Sequence, residues 1–175
     1  FSFNGMLTTD MPESVVEYAN AVAIDADGRI LVAGTREFDG SPGELAFVAR
    51  YDPDGSLDLS FGTNGLLDIT YGTGGSSRVN DMLIKANGTI LVAGQSWNTD
   101  GDNSAFGIAQ LNEDGSDDTD FSGDGKLRID FPADENWDGD WARSIALDGA
   151  GAIIVTGITG NGGTIGVARV NPNGT

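Results

Sequence analysis

One apolar pattern recurs three times along the chain. Each copy carries a glycine at both ends, at residues 28–34 (GRILVAG), 88–94 (GTILVAG) and 151–157 (GAIIVTG). A strand with one wet face would alternate apolar and polar residues, and this run does not. The pattern therefore predicts a strand covered on both faces, with Leu31 and Ala33 on one side and Ile30 and Val32 on the other.

The copies are spaced at a period of about 60 residues. Phe1, Phe61 and Phe121 each open an F-x-x-x-G segment, which divides the chain into repeats 1–60, 61–120 and 121–175. A fixed period of this length means that one supersecondary unit is used three times.

Each repeat predicts four strands. The first strand follows the Phe segment, at residues 66–71 and 126–131. The second precedes the apolar run, at residues 20–25, 80–85 and 143–148. The third is the run itself, and the fourth ends the repeat, at residues 47–52, 107–112 and 166–171. The pairs Asp27-Gly28 and Asn87-Gly88 predict hairpin turns, because both residues of each pair tolerate positive φ. No segment has a helical period.

Small four-stranded antiparallel sheets that stack face to face around an axis are propeller blades. The sequence therefore predicts an all-β, β-propeller-like fold, with twelve strands in three four-stranded antiparallel blades. We expect Gly34, Gly94 and Gly157 to lie where neighbouring sheets approach or where φ is positive.

The order of motifs also resembles a known family. DGRILVAG, followed by FVARYDPDGSLDLSFGTNG, resembles the delta-sixty repeat, found as tandem copies in bacterial secreted and surface proteins. The resemblance covers nearly the whole chain and departs at Gln110, Leu111 and Thr156. It implies a propeller-like blade and a secreted or cell-surface location. It implies no reaction and no catalytic residues, because the family has no settled activity.

Composition narrows the function classes. The chain has 175 residues, a net charge of −18, and neither cysteine nor histidine. It therefore cannot form disulfides, and it lacks the usual general base and the commonest metal ligand. The negative charge argues against nucleic acid and anionic lipid as partners. No apolar run approaches the length of a transmembrane segment.

The two ends predict partners. The chain starts at Phe1 rather than at a methionine, which indicates a processed form or a piece of a longer protein. Closed propellers use four to eight blades, so three blades leave two apolar faces without a neighbour. We expect other copies of the chain or further repeats of a parent chain to cover them. A ring and an open filament both remain compatible with the sequence.

Acidic turns give candidate calcium ligands. Calcium prefers several hard oxygens from one short loop. The candidates lie in DPDGSLD and NEDGSDDTD: Asp52, Asp54, Asp58, Asp114, Asp117, Asp118 and Asp120. The alternative is that these residues serve the turns through local hydrogen bonds.

Tryptophans give a candidate sugar site. Aromatic faces beside carboxylates and amides suit sugar rings, which stack on the face and bond through their hydroxyls. The candidates are Trp97, Trp137, Trp141, Asn136, Asp138 and Asp140. The alternative is that the tryptophans wedge between blades.

Three functions follow from these observations. The leading hypothesis is a non-enzymatic module with a structural, adhesive or self-assembling role in a secreted or surface protein. The second is a carbohydrate-binding propeller. The third is an enzyme acting on polysaccharide through two carboxylates, although no spacing singles out such a pair.

Overall fold

The computed structural model describes residues 1, 4–39, 43–71, 75–97, 103–132, 139–160 and 163–175. These residues form eleven strands: β1 (Ser14–Ile24), β2 (Ile30–Phe38), β3 (Glu44–Tyr51), β4 (Leu66–Ile69), β5 (Ser77–Ile84), β6 (Ile90–Trp97), β7 (Ser104–Leu111), β8 (Lys126–Ile129), β9 (Trp141–Leu147), β10 (Ile153–Thr159) and β11 (Thr164–Val170). The all-β prediction is confirmed. Within the described ranges, no helix is long and apolar enough to cross a membrane.

The strands build three separate antiparallel sheets, none of which closes on itself. Sheet 1 has the order β1-β2-β3-β4, sheet 2 the order β5-β6-β7-β8, and sheet 3 contains β9, β10 and β11 with β10 in the middle. The prediction of four strands per sheet therefore holds for the first two sheets. In the part of the chain that the structure describes, sheet 3 has three strands, so the expected total of twelve is wrong by one.

The fourth strand of each full sheet comes from the following repeat. Strand β4 opens the second repeat but pairs with β3 of the first, in a register that runs from Ala46↔Ile69 to Ala49↔Leu66. Strand β8 pairs with β7 in the same way. The corresponding segment of the first repeat, residues 6–11, forms no strand.

The hairpin turns use glycine alone for positive φ. In the first turn, the Asp25 N–H donates to the Arg29 carbonyl over 3.0 Å, and the Gly28 N–H donates to the Asp25 carbonyl over 3.1 Å. Gly28 has a φ of 80°, whereas Asp27 is not among the residues with positive φ. The predicted hairpin is therefore confirmed, as a three-residue loop with a glycine bulge in which Gly28 takes positive φ and Asp27 does not.

The glycine that ends each apolar run faces a β-bulge inside its own sheet. The register shifts between Val79↔Gly94 and Asp81↔Ala93, which leaves Asn80 unpaired on the bulged strand. A Cβ on Gly94 would lie 1.9 Å from the Arg78 carbonyl oxygen. Gly34 and Gly157 face the same bulge in the other two sheets. The predicted approach of a neighbouring sheet is present at Gly157, where a Cβ would lie 2.8 Å from the Phe106 ring of sheet 2. At Gly34 and Gly94 the close approach is made by the neighbouring strand, and φ is not positive at any of the three glycines.

Apolar layers fill both faces of the central strands, as predicted. Leu31 and Ala33 belong to the core between sheets 1 and 2, whereas Ile30 and Val32 lie on the opposite face of sheet 1. A second core, which contains the buried Phe106, lies between sheets 2 and 3. The sheets are therefore stacked in a row, each one packed face to face against the next.

Candidate interaction surfaces and ligand grooves

The row of sheets has a direction. In sheet 2, Ile90 and Val92 pack toward sheet 1, while Leu91 and Ala93 pack toward sheet 3. We call the first kind of face the leading face and the second the trailing face. Because the repeats are equivalent, sheet 1 presents a leading face at one end of the row, and sheet 3 presents a trailing face at the other.

Asparagine at the bulge links one sheet to the next. The Asn20 side-chain amide donates to the Val79 carbonyl over 2.7 Å, and the Asn80 amide donates to the Ala142 carbonyl over the same distance. Each acceptor belongs to the bulge of the following sheet. The third repeat has Arg143 at this position. The asparagine link is therefore made twice, once between each pair of neighbouring sheets, and the third repeat has no asparagine at this position.

The recurring phenylalanine precedes the last strand of one sheet and lies against a turn of the next sheet, within the same repeat. Phe61 and Phe121 are fully buried. The Gly62 N–H donates to the Asp114 carbonyl over 3.0 Å, and the Ser122 N–H donates to the Asn173 carbonyl over 2.9 Å. This contact explains why every repeat contains both an F-x-x-x-G segment and a D-G or N-G turn.

A buried arginine stabilises the first interface. Arg50 is 3% exposed, and its Nε lies 2.8 Å from the Asp58 carboxylate. Its guanidinium lies over the Phe61 ring at 4.6 Å and also donates to the Glu113 carbonyl. Hydrogen bonds from Ser60, together with the nearby Arg50, hold the pKa of Asp58 below its ordinary value.

The leading face of sheet 1 is partly covered by the chain's own first residues. Met11 is 6% exposed and packs with Phe47 and Tyr51. The Tyr51 hydroxyl donates to the Thr9 hydroxyl over 2.9 Å. A groove of about 720 Å³ remains between this segment and the sheet.

The trailing face of sheet 3 is exposed. Ile165 and Val167 are 80% and 60% exposed. The residues at the same repeat positions in sheet 2, Phe106 and Ile108, are fully buried by sheet 3. The third sheet thus presents to solvent the side chains that an inner sheet uses for packing. Sequence reasoning predicted an uncovered end but did not single out these two residues, and the repeat alignment is the signal that could have done so.

The candidate calcium ligands are engaged in turns. Asp54 and Asp114 each accept bonds from the N–H and hydroxyl of the serine two residues later, and these bonds lower the pKa of both carboxyls. Asp58 and Asp118 accept an N–H in the same way, and Asp117 pairs with Lys126. Over the described ranges, no group of three or more acidic side chains is placed to hold a metal. Calcium binding by these residues and by Asp52 and Asp120 stays a prediction.

The candidate sugar residues are only partly described. Trp137, Asn136 and Asp138 lie outside the described residues. Trp97 ends β6 and Trp141 begins β9, at the same end of the stacked sheets. Their backbones are close in space, because Ser104 pairs with Trp97 in sheet 2 and the Ser104 carbonyl accepts the N–H of Asp140 over 2.9 Å.

Asp140 has a structural position. It is 2% exposed, and its carboxylate accepts the Phe131 N–H over 2.8 Å. Ser77 occupies the same repeat position in sheet 2, where its hydroxyl donates to Ile69 and accepts from Ala46. Both side chains tie the first strand of one sheet to the outer strands of the sheet before it.

The comparison with known families agrees with this architecture. A family model described as a domain of unknown function (DUF5122) with a beta-propeller fold matches residues 26–61 and 85–121. These segments are nearly equivalent parts of the first and second repeats. The repeats are of the propeller type. No curated protein matches the chain. The propeller-type match assigns no activity, and the narrower resemblance to the delta-sixty repeat stays a prediction.

Proposed function

We propose that this propeller-type chain is a non-enzymatic structural module that assembles through the trailing face of sheet 3. The observation that supports it is the exposure of Ile165 and Val167 at positions that are fully buried in sheets 1 and 2. The occupant that fits is another sheet of the same repeat type, because the equivalent faces inside the row are covered by such a sheet. The delta-sixty resemblance supports a secreted or cell-surface setting.

The two ends differ in readiness for a partner. Residues 9 and 11 already contact the leading face through Tyr51 and Phe47, so a sheet docking there must displace them. The trailing face needs no such rearrangement. For the chain on its own we therefore expect pairing of two trailing faces, which is a symmetric contact that closes as a dimer. A head-to-tail contact would instead build rows of copies.

Lysine placed in the trailing face tests the proposal. Ile165→Lys puts a charge where apolar burial would occur, so sedimentation should show dissociation to the monomer while the circular dichroism stays unchanged. Leu59→Lys is the matched control, because Leu59 is 69% exposed but lies in a turn away from this face. Equal masses for Ile165→Lys and the unmodified chain would contradict the proposal, and turnover of a polysaccharide substrate would contradict its non-enzymatic character.

Carbohydrate binding is the second candidate function. Trp97 of sheet 2 and Trp141 of sheet 3 lie at the same end of the two sheets. Gln95, in the same strand as Trp97, is 3% exposed, and its Nε2 has no hydrogen-bond partner in the described part of the chain. A stacked sugar ring with hydroxyls turned toward Gln95 would use both features. Trp141→Ala should weaken the retention of at least one glycan on an array, and an unchanged array pattern would rule this site out.

A further inference from the structure

A polar cavity lies between sheets 1 and 2 at the end where β1 and β5 begin. Its volume is about 330 Å³, at the lower end of the ~300–1,000 Å³ range of small-molecule sites. A cavity of this size suits one ring rather than a long ligand. The residues that line it come from both sheets: Tyr18, Asn20, Thr35, Glu37, Glu44, Arg78 and Asn80.

Thr35 is the unusual member of this lining. It is 3% exposed, yet its Oγ1 has no hydrogen-bond partner among the described residues. A buried hydroxyl without a partner costs stability, so such groups in native proteins call for an explanation. Thr35 lines the cavity but its Oγ1 has almost no accessible surface, so a ligand hydroxyl would satisfy it once the side chain rotates toward the cavity.

The same position is unpartnered in the next interface. Gln95 corresponds to Thr35 one repeat later, and its Nε2 also has no partner in the described ranges. Two buried, unpartnered polar groups at one repeat position indicate a feature of the first two repeats rather than an accident of one strand.

The remaining groups are fixed and offer mainly acceptors. Arg78 is held by Glu44, with Nη2 lying 2.6 Å from Oε1. Asn20 and Asn80 each use an amide N–H on a backbone carbonyl, which leaves their amide oxygens to accept. Glu37 pairs with Glu44 across the strands and adds a second carboxylate. A ligand rich in hydroxyl donors matches this set.

The charge and the open wall narrow the class further. Two carboxylates against one guanidinium leave one excess negative charge, and the whole chain carries −18, so an anionic ligand is disfavoured. Tyr18 is 51% exposed and offers an aromatic face at the rim. Aromatic faces beside polar groups are suited to the apolar face of a pyranose ring.

We propose that the cavity between sheets 1 and 2 binds one uncharged, hydroxyl-rich ring, that is, a neutral sugar unit, with Thr35 and the two asparagines bonding its hydroxyls and Tyr18 stacking on it. The proposal goes beyond the assembly role, because the cavity lies between two sheets of one chain. It is also independent of the candidate site at Trp97 and Trp141.

The test is titration of the full chain with a panel of neutral gluco-, manno-, galacto- and xylo-oligosaccharides and with oligogalacturonate, followed by saturation-transfer NMR and calorimetry. We expect at least one neutral oligosaccharide to bind and the uronate to fail. Thr35→Val should weaken that binding about tenfold or more, the equivalent of one lost hydrogen bond to a buried group. Thr35→Ser should retain it, and Tyr18→Ala should reduce it.

Stability gives an independent readout. Thr35→Val keeps the shape of the side chain and removes the unpartnered hydroxyl, so its unfolding midpoint should rise while binding falls. Leu59→Ala, at an exposed turn residue outside the cavity lining, should leave the binding unchanged. The proposal is overturned if no neutral sugar binds, if Thr35→Val binds as well as the unmodified chain, or if the uronate binds equally.

Discussion

The second and third sheets carry the same strand pattern but differ in what covers them. Strand β7 is buried along its whole length, whereas four of the seven residues of its counterpart β11 are exposed. The positions that hold Phe106 and Ile108 in one hold Ile165 and Val167 in the other. The pattern therefore specifies a sheet that needs two neighbours, and the number of neighbours present decides how each residue contributes to stability.

The largest expected difference lies at a matched pair of positions. Phe106→Ala should destabilise the fold by about 3–5 kcal/mol, because it removes a fully buried ring from between sheets 2 and 3. Ile165→Ala, at the same repeat position, should change the unfolding free energy by less than about 0.5 kcal/mol at a concentration where the chain is monomeric. Urea denaturation of both variants measures the contrast, and similar losses would show that the two sheets are equally covered.

The bulge should be equally important in both sheets. Gly94→Ala should cost about 2–3 kcal/mol, because its Cβ would overlap the Arg78 carbonyl and open the bulge. Gly157→Ala should cost as much, because the Trp141 carbonyl lies at the same distance. Gly149→Ala is the control, since a Cβ there meets nothing within 4 Å. A neutral Gly157→Ala would mean that sheet 3 does not need the bulge.

These glycines also show where prediction from sequence succeeded and where it stopped. The apolar run predicted a strand covered on both faces, and Ile30 and Leu31 lie on opposite faces as expected. The run could not show that Gly34 faces a bulge, because a bulge depends on the register of a partner strand. Likewise, the pattern of β4 predicts a strand but does not name the repeat with which it pairs.

The candidate sites were harder to predict for a related reason. Asp140 reads as a sugar ligand among acidic neighbours, yet its carboxylate accepts the Phe131 N–H, at the repeat position where the Ser77 hydroxyl also bonds to the preceding sheet. Thr35 has no distinctive sequence context, and only the burial of its hydroxyl makes it notable. Periodicity identifies which residues are equivalent, but not which of them lack a partner.

Acid should weaken the first interface through Asp58. Asp58 has a lowered pKa in the folded state, so its contribution is complete above the ordinary value of about 4 and is lost as the pH falls through the lower, folded value. Unfolding free energies measured from pH 7 to pH 2 should therefore fall below about pH 4. In Asp58→Asn the fall should be shallower. Asp148, whose pKa is lowered chiefly by the Ala152 N–H, gives the comparison in sheet 3.

Calcium should have the smallest effect. Binding to the folded state alone raises the unfolding midpoint by mass action, so calcium should stabilise the chain more than magnesium does at equal ionic strength. Asp54→Asn and Asp114→Asn test whether the acidic turns are responsible. An equal shift with magnesium or with plain salt would mean that screening of the −18 charge is sufficient.

The mass of the chain in solution tests the central claim most directly. Light scattering across a micromolar concentration series should give a mass above that of one 18.1 kDa chain, with twice that value expected for two paired trailing faces. The mass should fall toward the monomer on dilution. A folded, monodisperse species of 18.1 kDa at every concentration would contradict the account, because it would show that the exposed face of sheet 3 needs no partner.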